Sequence, residues 1–186
     1  MPKTLLLLAN GSEEMEAVIT IDVLRRAGWA VTVAAVEEQE TITASRDVRI
    51  HADTLLRDID ANAFDLLVLP GGKGGTDIFC AHSGVQNLLQ SFDKANKPIA
   101  AICAAPLALD AAGVLRQRQY TCYPGVEKQI KAGKHRSAVV VHDENLITSQ
   151  GPGTTFAFAL KLVEIFENKR AADTLRRQML LNYTSV

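Results

Sequence analysis

One cysteine of this chain stands at a position that favours chemistry. Cys103 directly follows the short apolar run 99–102 and precedes Ala104, Ala105 and Pro106. An uninterrupted apolar run of this length is typical of a parallel strand that is buried on both faces, and proline suits the first turn of a helix. The sequence therefore predicts a strand, a sharp turn and a helix, with the thiol at the corner.

The predicted helix N-terminus bears on the reactivity of Cys103. Its partial positive charge favours a thiolate, so we expect a lowered thiol pKa and a nucleophilic sulfur. The nucleophile elbow of the hydrolases has the same order of strand, turn and helix. The alternative is that Cys103 is a small, inert hydrophobic side chain, which is the commoner role of a free cysteine.

Glu16 lies about one turn into a helix that is predicted to begin near Ser12, the expected N-cap. It could complement the helix dipole, as we expect Glu13 and Glu14 to do. If it points into a crevice instead, its burial raises the carboxyl pKa and favours the protonated form. A neutral carboxyl can hydrogen-bond a thiolate and later move a proton, so Glu16 is the candidate partner of the cysteine.

A pair of glycines follows the predicted buried strand at 65–69. Gly71 and Gly72 could supply backbone N–H groups to an oxyanion, or they could simply form a tight turn. The run GGKGG at 71–75, predicted to be a loop, lacks the phosphate-loop pattern G-x-x-x-x-G-K-[ST], and residues 4–11 contain no G-x-G-x-x-G. A nucleotide site is therefore weakly supported.

Strands and helices alternate along the chain in a way that predicts an α/β sandwich around a mostly parallel sheet. The predicted strands are 3–9, 29–36, 42–44, 48–51, 65–69, 99–102, 119–122, 138–141 and 145–149. The predicted helices are 13–27, 86–95, 104–112, 156–168 and 171–181, with a weakly helical or irregular crossover at 55–63. Ligands of such sheets bind beyond the carboxyl ends of the strands, so we expect residues 13–16, 71–72 and 103–104 on one rim.

The composition is that of an ordinary compact protein. Its 186 residues are 47% hydrophobic and 22% charged, with a net charge of −1 and a pI near 6.4. We therefore expect no specific nucleic-acid binding and no attraction to an anionic membrane. The apolar stretches 5–9 and 98–109 are too short for a signal peptide and a membrane span, respectively. We expect one domain over residues 1–186 and a soluble, cytoplasmic protein.

The cysteines and histidines indicate neither disulfides nor a metal site. Cys80, Cys103 and Cys122 are odd in number and lack C-x-x-C spacing, which favours reduced thiols. The four histidines are scattered and lack the paired spacing of a zinc site. We therefore expect no bound metal.

Five motifs, taken together, resemble a known family. They are GSEEMEAV at 11–18, SRDV at 45–48, VLPGG at 68–72, AAICAAP at 100–106 and TSQGPGT at 148–154. Their residues and their order resemble the DJ-one/ThiJ/PfpI superfamily over nearly the whole chain. The most similar branch is the one that contains the Parkinson-disease protein deglycase and the bacterial protein YajL.

The resemblance implies a flavodoxin-like fold, with a doubly wound sheet between helices, and a homodimer. It implies that Cys103 is the reactive cysteine and Glu16 its protonated partner. The residues expected to line the substrate or supply the oxyanion site are Gly71, Gly72, Ala104, Tyr123, Arg46 and Pro152.

Two residues depart from the family pattern. The branch carries a histidine near its cysteine, whereas this chain has Tyr123, and a phenol is a poor base at neutral pH. The protease-like branch has a histidine directly after its cysteine, whereas this chain has Ala104. Without an adjacent base to take and return a proton, peptide hydrolysis is disfavoured.

The leading hypothesis is a cofactor-independent cysteine enzyme of the deglycase and glyoxalase III type that the resemblance implies. Its substrates would be methylglyoxal, glyoxal or their early adducts on proteins and nucleotides, and its products lactate or glycolate. The second hypothesis is an oxidative-stress sensor or redox chaperone, in which Cys103 is oxidised to a sulfinate held by Glu16. A third is a binding module with an inert cysteine, which predicts no preferential alkylation of Cys103.

Overall fold

The centre of the protein is a sheet of short, apolar strands. The computed structural model describes residues 1–181, and the last five residues of the predicted domain, 182–186, lie outside the described residues. The strands in that part are β1 (Lys3–Leu8), β2 (Ala30–Ala35), β3 (Thr41–Thr43), β4 (Arg49–His51), β5 (Thr54–Leu55), β6 (Leu66–Leu69), β7 (Ile99–Ile102), β8 (Gln119–Tyr120), β9 (Lys134–His135), β10 (Val140–Asp143) and β11 (Leu146–Ser149). The α-helices are α1 (Glu14–Arg26), α2 (Lys73–Ala81), α3 (Ser83–Lys94), α4 (Pro106–Ala111), α5 (Thr155–Phe166) and α6 (Lys169–Gln178).

The main sheet has the strand order β10-β11-β7-β6-β1-β2-β5. Its neighbouring strands run parallel, apart from the antiparallel pair of β10 and β11. The order β2-β1-β6-β7-β11 is the flavodoxin-like one, in which the winding reverses between β1 and β6. The predicted α/β fold is therefore confirmed, and the ligand crevice is expected beyond the carboxyl ends of β1 and β6.

Successive side chains of the central strands fill two cores, one on each face of the sheet. In β1, Leu6 and Leu8 pack with residues of α1, α5 and α6 on one face. Leu5 and Leu7 pack with residues of α2, α3 and α4 on the other face. Because helices cover both faces, the strands carry continuous apolar runs rather than an alternating pattern.

Two smaller sheets flank the main one. β3 and β4, which correspond to the predicted strands 42–44 and 48–51, form an antiparallel ribbon. β8 pairs with β9 in parallel, with Gln119 opposite Lys134 and Tyr120 opposite His135. This second pair lies in a segment of turns between α4 and β10 that contributes to the site described below.

The prediction of a loop at 71–75 is wrong, because α2 begins at Lys73 and includes Gly74 and Gly75. Glycine has a low helix propensity, and tertiary contact explains its presence here. A Cβ on Gly75 would lie only 2.5 Å from Ser12 Oγ, and one on Gly74 would lie 3.2 Å from the Cα of Gly11. The first turn of α2 therefore packs directly on the loop before α1.

A further prediction is wrong in detail. Glu13, not Ser12, caps α1, since its side chain accepts a hydrogen bond from the Glu16 backbone N–H at 2.9 Å. The Ser12 hydroxyl instead accepts from the Ala9 N–H at 3.1 Å. The predicted crossover at 55–63 agrees with the structure: after the edge strand β5, which pairs with β2, the chain continues through short 3-10 turns at Leu56–Asp58 and Ala61–Ala63. None of the helices among residues 1–181 has the length and apolar character that a membrane crossing requires.

Candidate active site

Cys103 forms the corner between β7 and α4 in a strained backbone conformation. Its φ of 65° lies in the left-handed region, which residues other than glycine seldom adopt. Its N–H donates to the carbonyl of Ser149 at 3.0 Å, and its carbonyl accepts from the N–H of Tyr123 at 2.9 Å. Strain that surrounding hydrogen bonds maintain in this way is a feature of functional sites, and of the nucleophile elbow in particular.

Glu16 is completely buried behind this corner. Its Oε2 accepts a hydrogen bond from the Gly71 N–H at 2.6 Å. Its Oε1 is buried and has no hydrogen-bond partner of good geometry in the described part of the chain. Burial raises the pKa of Glu16 to about 7, although the Gly71 N–H and the Cys103 thiol partly oppose this effect. A protonated carboxyl beside the cysteine is therefore accessible near neutral pH.

The surroundings of the thiol oppose its ionisation while Glu16 is charged. Burial and the negative charge of the Glu16 carboxylate raise the pKa of Cys103 to about 12, and the backbone N–H groups of Gly72 and Ala104 only partly offset this. The sequence prediction of a lowered thiol pKa therefore does not hold while Glu16 is ionised. It considered the positive end of the helix but not the burial or the carboxylate that the fold places next to the sulfur.

Cys103 and Glu16 titrate as a pair. Once one proton has left the pair, the remaining proton resides either on the sulfur or on the carboxyl group. With the proton on Glu16, the negative charge that opposes thiol ionisation is gone, while the N–H groups of Gly72 and Ala104 still face the sulfur. The arrangement can thus present a nucleophilic sulfur together with a carboxylic acid that donates a proton.

The sulfur borders a cavity of about 660 Å³. Among the residues that line it are six of the eight predicted site residues: Arg46, Gly72, Cys103, Ala104, Tyr123 and Pro152. Glu16 and Gly71 lie behind Cys103, where a Cβ on Gly71 would be within 2.9 Å of Glu16 Oε2. The structure therefore brings all eight residues to one place, at the end of the sheet where β6 and β7 terminate.

Gly71 has no room for a side chain. A Cβ at this position would lie 2.6 Å from the Cβ of Cys103 and 2.9 Å from the Ala104 N atom. We expect Gly71→Ala to displace the cysteine and its carboxyl partner, to lower the free energy of unfolding by about 1–3 kcal/mol, and to slow the alkylation of Cys103. Urea denaturation and timed alkylation measure the two effects.

Gly153 provides the matched control for that substitution, since a Cβ there would meet no atom within 4 Å. Gly153→Ala should leave both the stability and the alkylation rate near those of the parent protein. Equal behaviour of the two variants would contradict the steric role of Gly71.

Sequence reasoning missed several residues that line the cavity. Lys73 and Asp77 face it from α2, paired with each other at 2.6 Å, and Gln129 lies at its other side. The first two were missed because α2 was not predicted. Gln129 follows a short 3-10 turn that carries no sequence signal of its own.

Glu14 has a larger role than the predicted one of complementing the helix dipole. Its carboxylate accepts from the Ser45 hydroxyl and from the Arg46 N–H, both at 2.8 Å. Burial tends to raise the pKa of Glu14, but these bonds and its own backbone N–H outweigh it, so the pKa is lowered. The ionised Glu14 thus fixes the turn that brings Arg46 to the cavity mouth.

Comparison with known proteins identifies the family. A family model described as the DJ-1/PfpI family matches residues 2–165. The chain belongs to this family. The resemblance that the five motifs predicted is therefore confirmed.

Relatives in the DJ-1/PfpI family align over most of the chain. Protein dj-1beta of Drosophila melanogaster is 43% identical over 181 residues, which are 96% of this chain and 97% of that protein. Its crystal structure superposes with a TM-score of 0.94, covering 98% of this chain and 100% of that one. Protein DJ-1 homolog B of Arabidopsis thaliana is 41% identical over 181 residues, and here the chain spans only 41% of the relative's length.

The family includes a protein named for an activity. The Caenorhabditis elegans protein called glutathione-independent glyoxalase DJR-1.2 is 36% identical over 180 residues, 95% of each chain. A glyoxalase name therefore occurs among relatives that align over nearly their full length.

Proposed function

We propose that this protein is a cofactor-independent glyoxalase and deglycase that acts on methylglyoxal, glyoxal or their early adducts on proteins and nucleotides. The observation that supports this most is the carboxyl of Glu16, buried beside Cys103 with its Oε1 lacking a good hydrogen-bond partner. An acid that can lose and regain a proton near neutral pH is what an isomerisation of an α-oxoaldehyde requires. The name of the C. elegans relative agrees with this reaction.

The proposed reaction begins at the sulfur. The thiolate of Cys103 attacks the aldehyde carbon of methylglyoxal, so that a C–S bond forms and the carbonyl oxygen becomes negative. The carboxylic acid of Glu16 gives its proton to this oxygen. The result is a hemithioacetal on Cys103 and a carboxylate on Glu16, which is now a base.

The Glu16 carboxylate then moves a proton between neighbouring carbons. It removes the hydrogen of the former aldehyde carbon and returns it to the adjacent carbon, while the hydroxyl proton passes to the adjacent oxygen. A 2-hydroxy thioester remains on the sulfur. Water hydrolyses it, which breaks the C–S bond, releases lactate and returns the proton needed by the cysteine–glutamate pair. No metal or organic cofactor takes part in this sequence.

Product analysis tests the proposal. The purified protein would be incubated in parallel with methylglyoxal and with a methylglyoxal-treated peptide, and lactate would be measured with the recovery of unmodified peptide. If lactate forms only from the free aldehyde, the protein is a glyoxalase. If the unmodified peptide is recovered faster than removal of the free aldehyde can explain, the protein is a deglycase. Absence of lactate in both reactions would exclude the proposed function.

A second function, that of a redox sensor or stress chaperone, is favoured by the hydrogen-bond donors around the sulfur. The N–H groups of Gly72 and Ala104 and a protonated Glu16 could hold the oxygens of a Cys103 sulfinate. Intact-mass measurement after dilute peroxide separates the two functions. A selective gain of oxygen at Cys103 together with negligible aldehyde turnover would favour the sensor.

The proposal includes a homodimer in the cytoplasm. The three cysteines are free, which fits a reducing compartment. Met15 and Val18 on α1 and Val48 beside the β3–β4 ribbon are large apolar side chains that are about half exposed, with accessibilities of 51%, 50% and 47%. An exposed apolar group of this kind is typical of a surface that a second copy covers.

We expect Val18→Lys to shift the protein from dimer to monomer, because the change places a charge within this apolar surface. Sedimentation velocity measures the effect. Val139→Lys is the matched control, since Val139 is equally exposed, at 51%, and lies away from α1. A dimer that persists in Val18→Lys would show that this surface is not the interface.

A further inference from the structure

Three side chains with metal-binding atoms meet outside the candidate active site. The Cys122 sulfur, a carboxylate oxygen of Glu127 and a ring nitrogen of His135 all lie within 4.8 Å of one another. They come from three segments: the turn after β8, a short 3-10 turn and the strand β9. No spacing in the sequence indicates this cluster, because the fold brings together residues from separate turns.

The backbone holds these side chains in place. Cys122 is buried, and its sulfur accepts a hydrogen bond from the Glu127 N–H. The Gly125 N–H donates to Glu127 Oε2 at 2.6 Å, which leaves the other carboxylate oxygen available. His135 is opposite Tyr120 in the β8–β9 pair, and its ring packs on that of Tyr120 with 5.6 Å between the centroids. Hydrogen bonds to metal ligands of this kind orient them and tune their affinity.

We propose that Cys122, Glu127 and His135 form a binding site for zinc or a chemically similar divalent cation. Thiolate, imidazole and carboxylate are the ligand types that zinc takes in proteins. Three protein ligands leave a fourth tetrahedral position for water. His135 is exposed and Glu127 is partly exposed, whereas Cys122 is buried. An ion can therefore enter the site from the solvent.

A cation at this position would be coupled to the active-site cavity. Tyr123 directly follows Cys122, lines the cavity, and donates its backbone N–H to the Cys103 carbonyl. Val126, next to Glu127, lines the same cavity. Binding of the ion would therefore stabilise the segment that forms one wall of the cavity. The site does not depend on the proposed catalytic function, since none of its three ligands takes part in that reaction.

Titration of the full-length protein with zinc, in competition with a chromophoric chelator, tests the site. The other thiols are removed first by Cys80→Ser and Cys103→Ala, so that only Cys122 can supply sulfur. We expect one zinc ion per chain. Cobalt(II) should give an intense sulfur-to-metal charge-transfer band in the near ultraviolet, which reports a thiolate ligand directly.

Substitution of the ligands in the same background separates this site from adventitious binding. Removal of a residue that only hydrogen-bonds to a metal ligand typically weakens metal binding by roughly 10–100-fold. His135→Ala and Glu127→Gln remove the ligands themselves, so each should weaken zinc binding by at least as much. Glu127→Gln keeps an oxygen that can accept from Gly125, so it tests the ligand without removing the local fold. His142→Ala is the control, because His142 is an exposed histidine that lies outside the cluster.

The site would be excluded by any of three results. These are a zinc stoichiometry well below one per chain, a cobalt complex that lacks the charge-transfer band, and ligand variants that bind zinc as tightly as the His142→Ala control. Circular dichroism spectra of each variant establish that the fold is retained. Cys122→Ser should abolish the band, and its retention would likewise contradict the assignment.

Discussion

Replacement of Cys103 by serine is expected to reduce lactate formation from methylglyoxal to the uncatalysed background. The hydroxyl occupies the space of the thiol at the same strained corner, so the cavity and the Glu16 carboxyl should remain in place. A serine hydroxyl is a weak nucleophile because it ionises far less readily than a thiol, even beside Glu16, and the hemithioacetal could no longer form. Lactate formation over time at several substrate concentrations measures the loss.

Cys80→Ser is the matched control for that experiment. Cys80 lies on α2 and is partly exposed, and no step of the proposed reaction involves it. Its replacement should leave turnover close to that of the parent protein. Substantial lactate formation by Cys103→Ser would show that Cys103 is not the nucleophile, and equal losses in both variants would point to general destabilisation.

Replacement of Glu16 by glutamine is expected to lower turnover by about 10²–10⁴-fold, the usual contribution of a positioned acid–base group. The amide keeps an oxygen for the Gly71 N–H, which is bonded to Oε2 at 2.6 Å in the parent protein. It cannot, however, carry a proton between the two carbons of the substrate. Alkylation of Cys103 should persist, because the sulfur itself is unchanged, so the variant separates nucleophile from proton carrier.

The same variant should also change how stability depends on pH. Burial raises the pKa of Glu16 from 4.5 to about 7 in the folded protein. The folded state therefore retains a proton that the unfolded state loses, and this group's contribution to stability is complete below pH 4.5 and is lost as the pH rises through 7. The loss is on the order of 3 kcal/mol for a shift of this size.

The Glu16→Gln variant lacks this titrating carboxyl group, so it does not lose stability through it as the pH rises. Its free energy of unfolding, relative to that of the parent protein, should therefore increase between about pH 4.5 and 7 and stay constant above that window. Urea denaturation at a series of pH values measures the difference. A difference that does not vary with pH would show that the carboxyl of Glu16 is not the buried acid that the geometry indicates.

The sequence by itself determined the fold and the location of the cysteine. The apolar runs at 99–102 and 66–69 predict strands because uninterrupted apolar residues of that length are stable only when covered on both faces. Pro106 and Cys103 then predict the turn and helix that follow. These features depend on local residue type and on periodicity, which a linear sequence contains, so the structure agrees with them.

Tertiary structure alone decided the start of α2 and the protonation of the site. Gly74 and Gly75 disfavour a helix locally, and close packing on Gly11 and Ser12 explains the helix that they form. The pKa of a buried group depends on the charges and donors around it, which come from distant parts of the chain. Burial of the thiol, together with the Glu16 carboxylate next to it, therefore reversed the direction of the Cys103 pKa shift that the helix N-terminus predicts.

Contacts between separate segments also produce the cluster of Cys122, Glu127 and His135, which no sequence spacing indicates. Its ligand atoms approach one another only because β8 pairs with β9 and a short turn folds over the cysteine. Local sequence thus fixes which segments become strands and helices, since their stability depends on near neighbours. The electrostatic environment of a thiol depends on every segment packed around it, and only the folded chain specifies that.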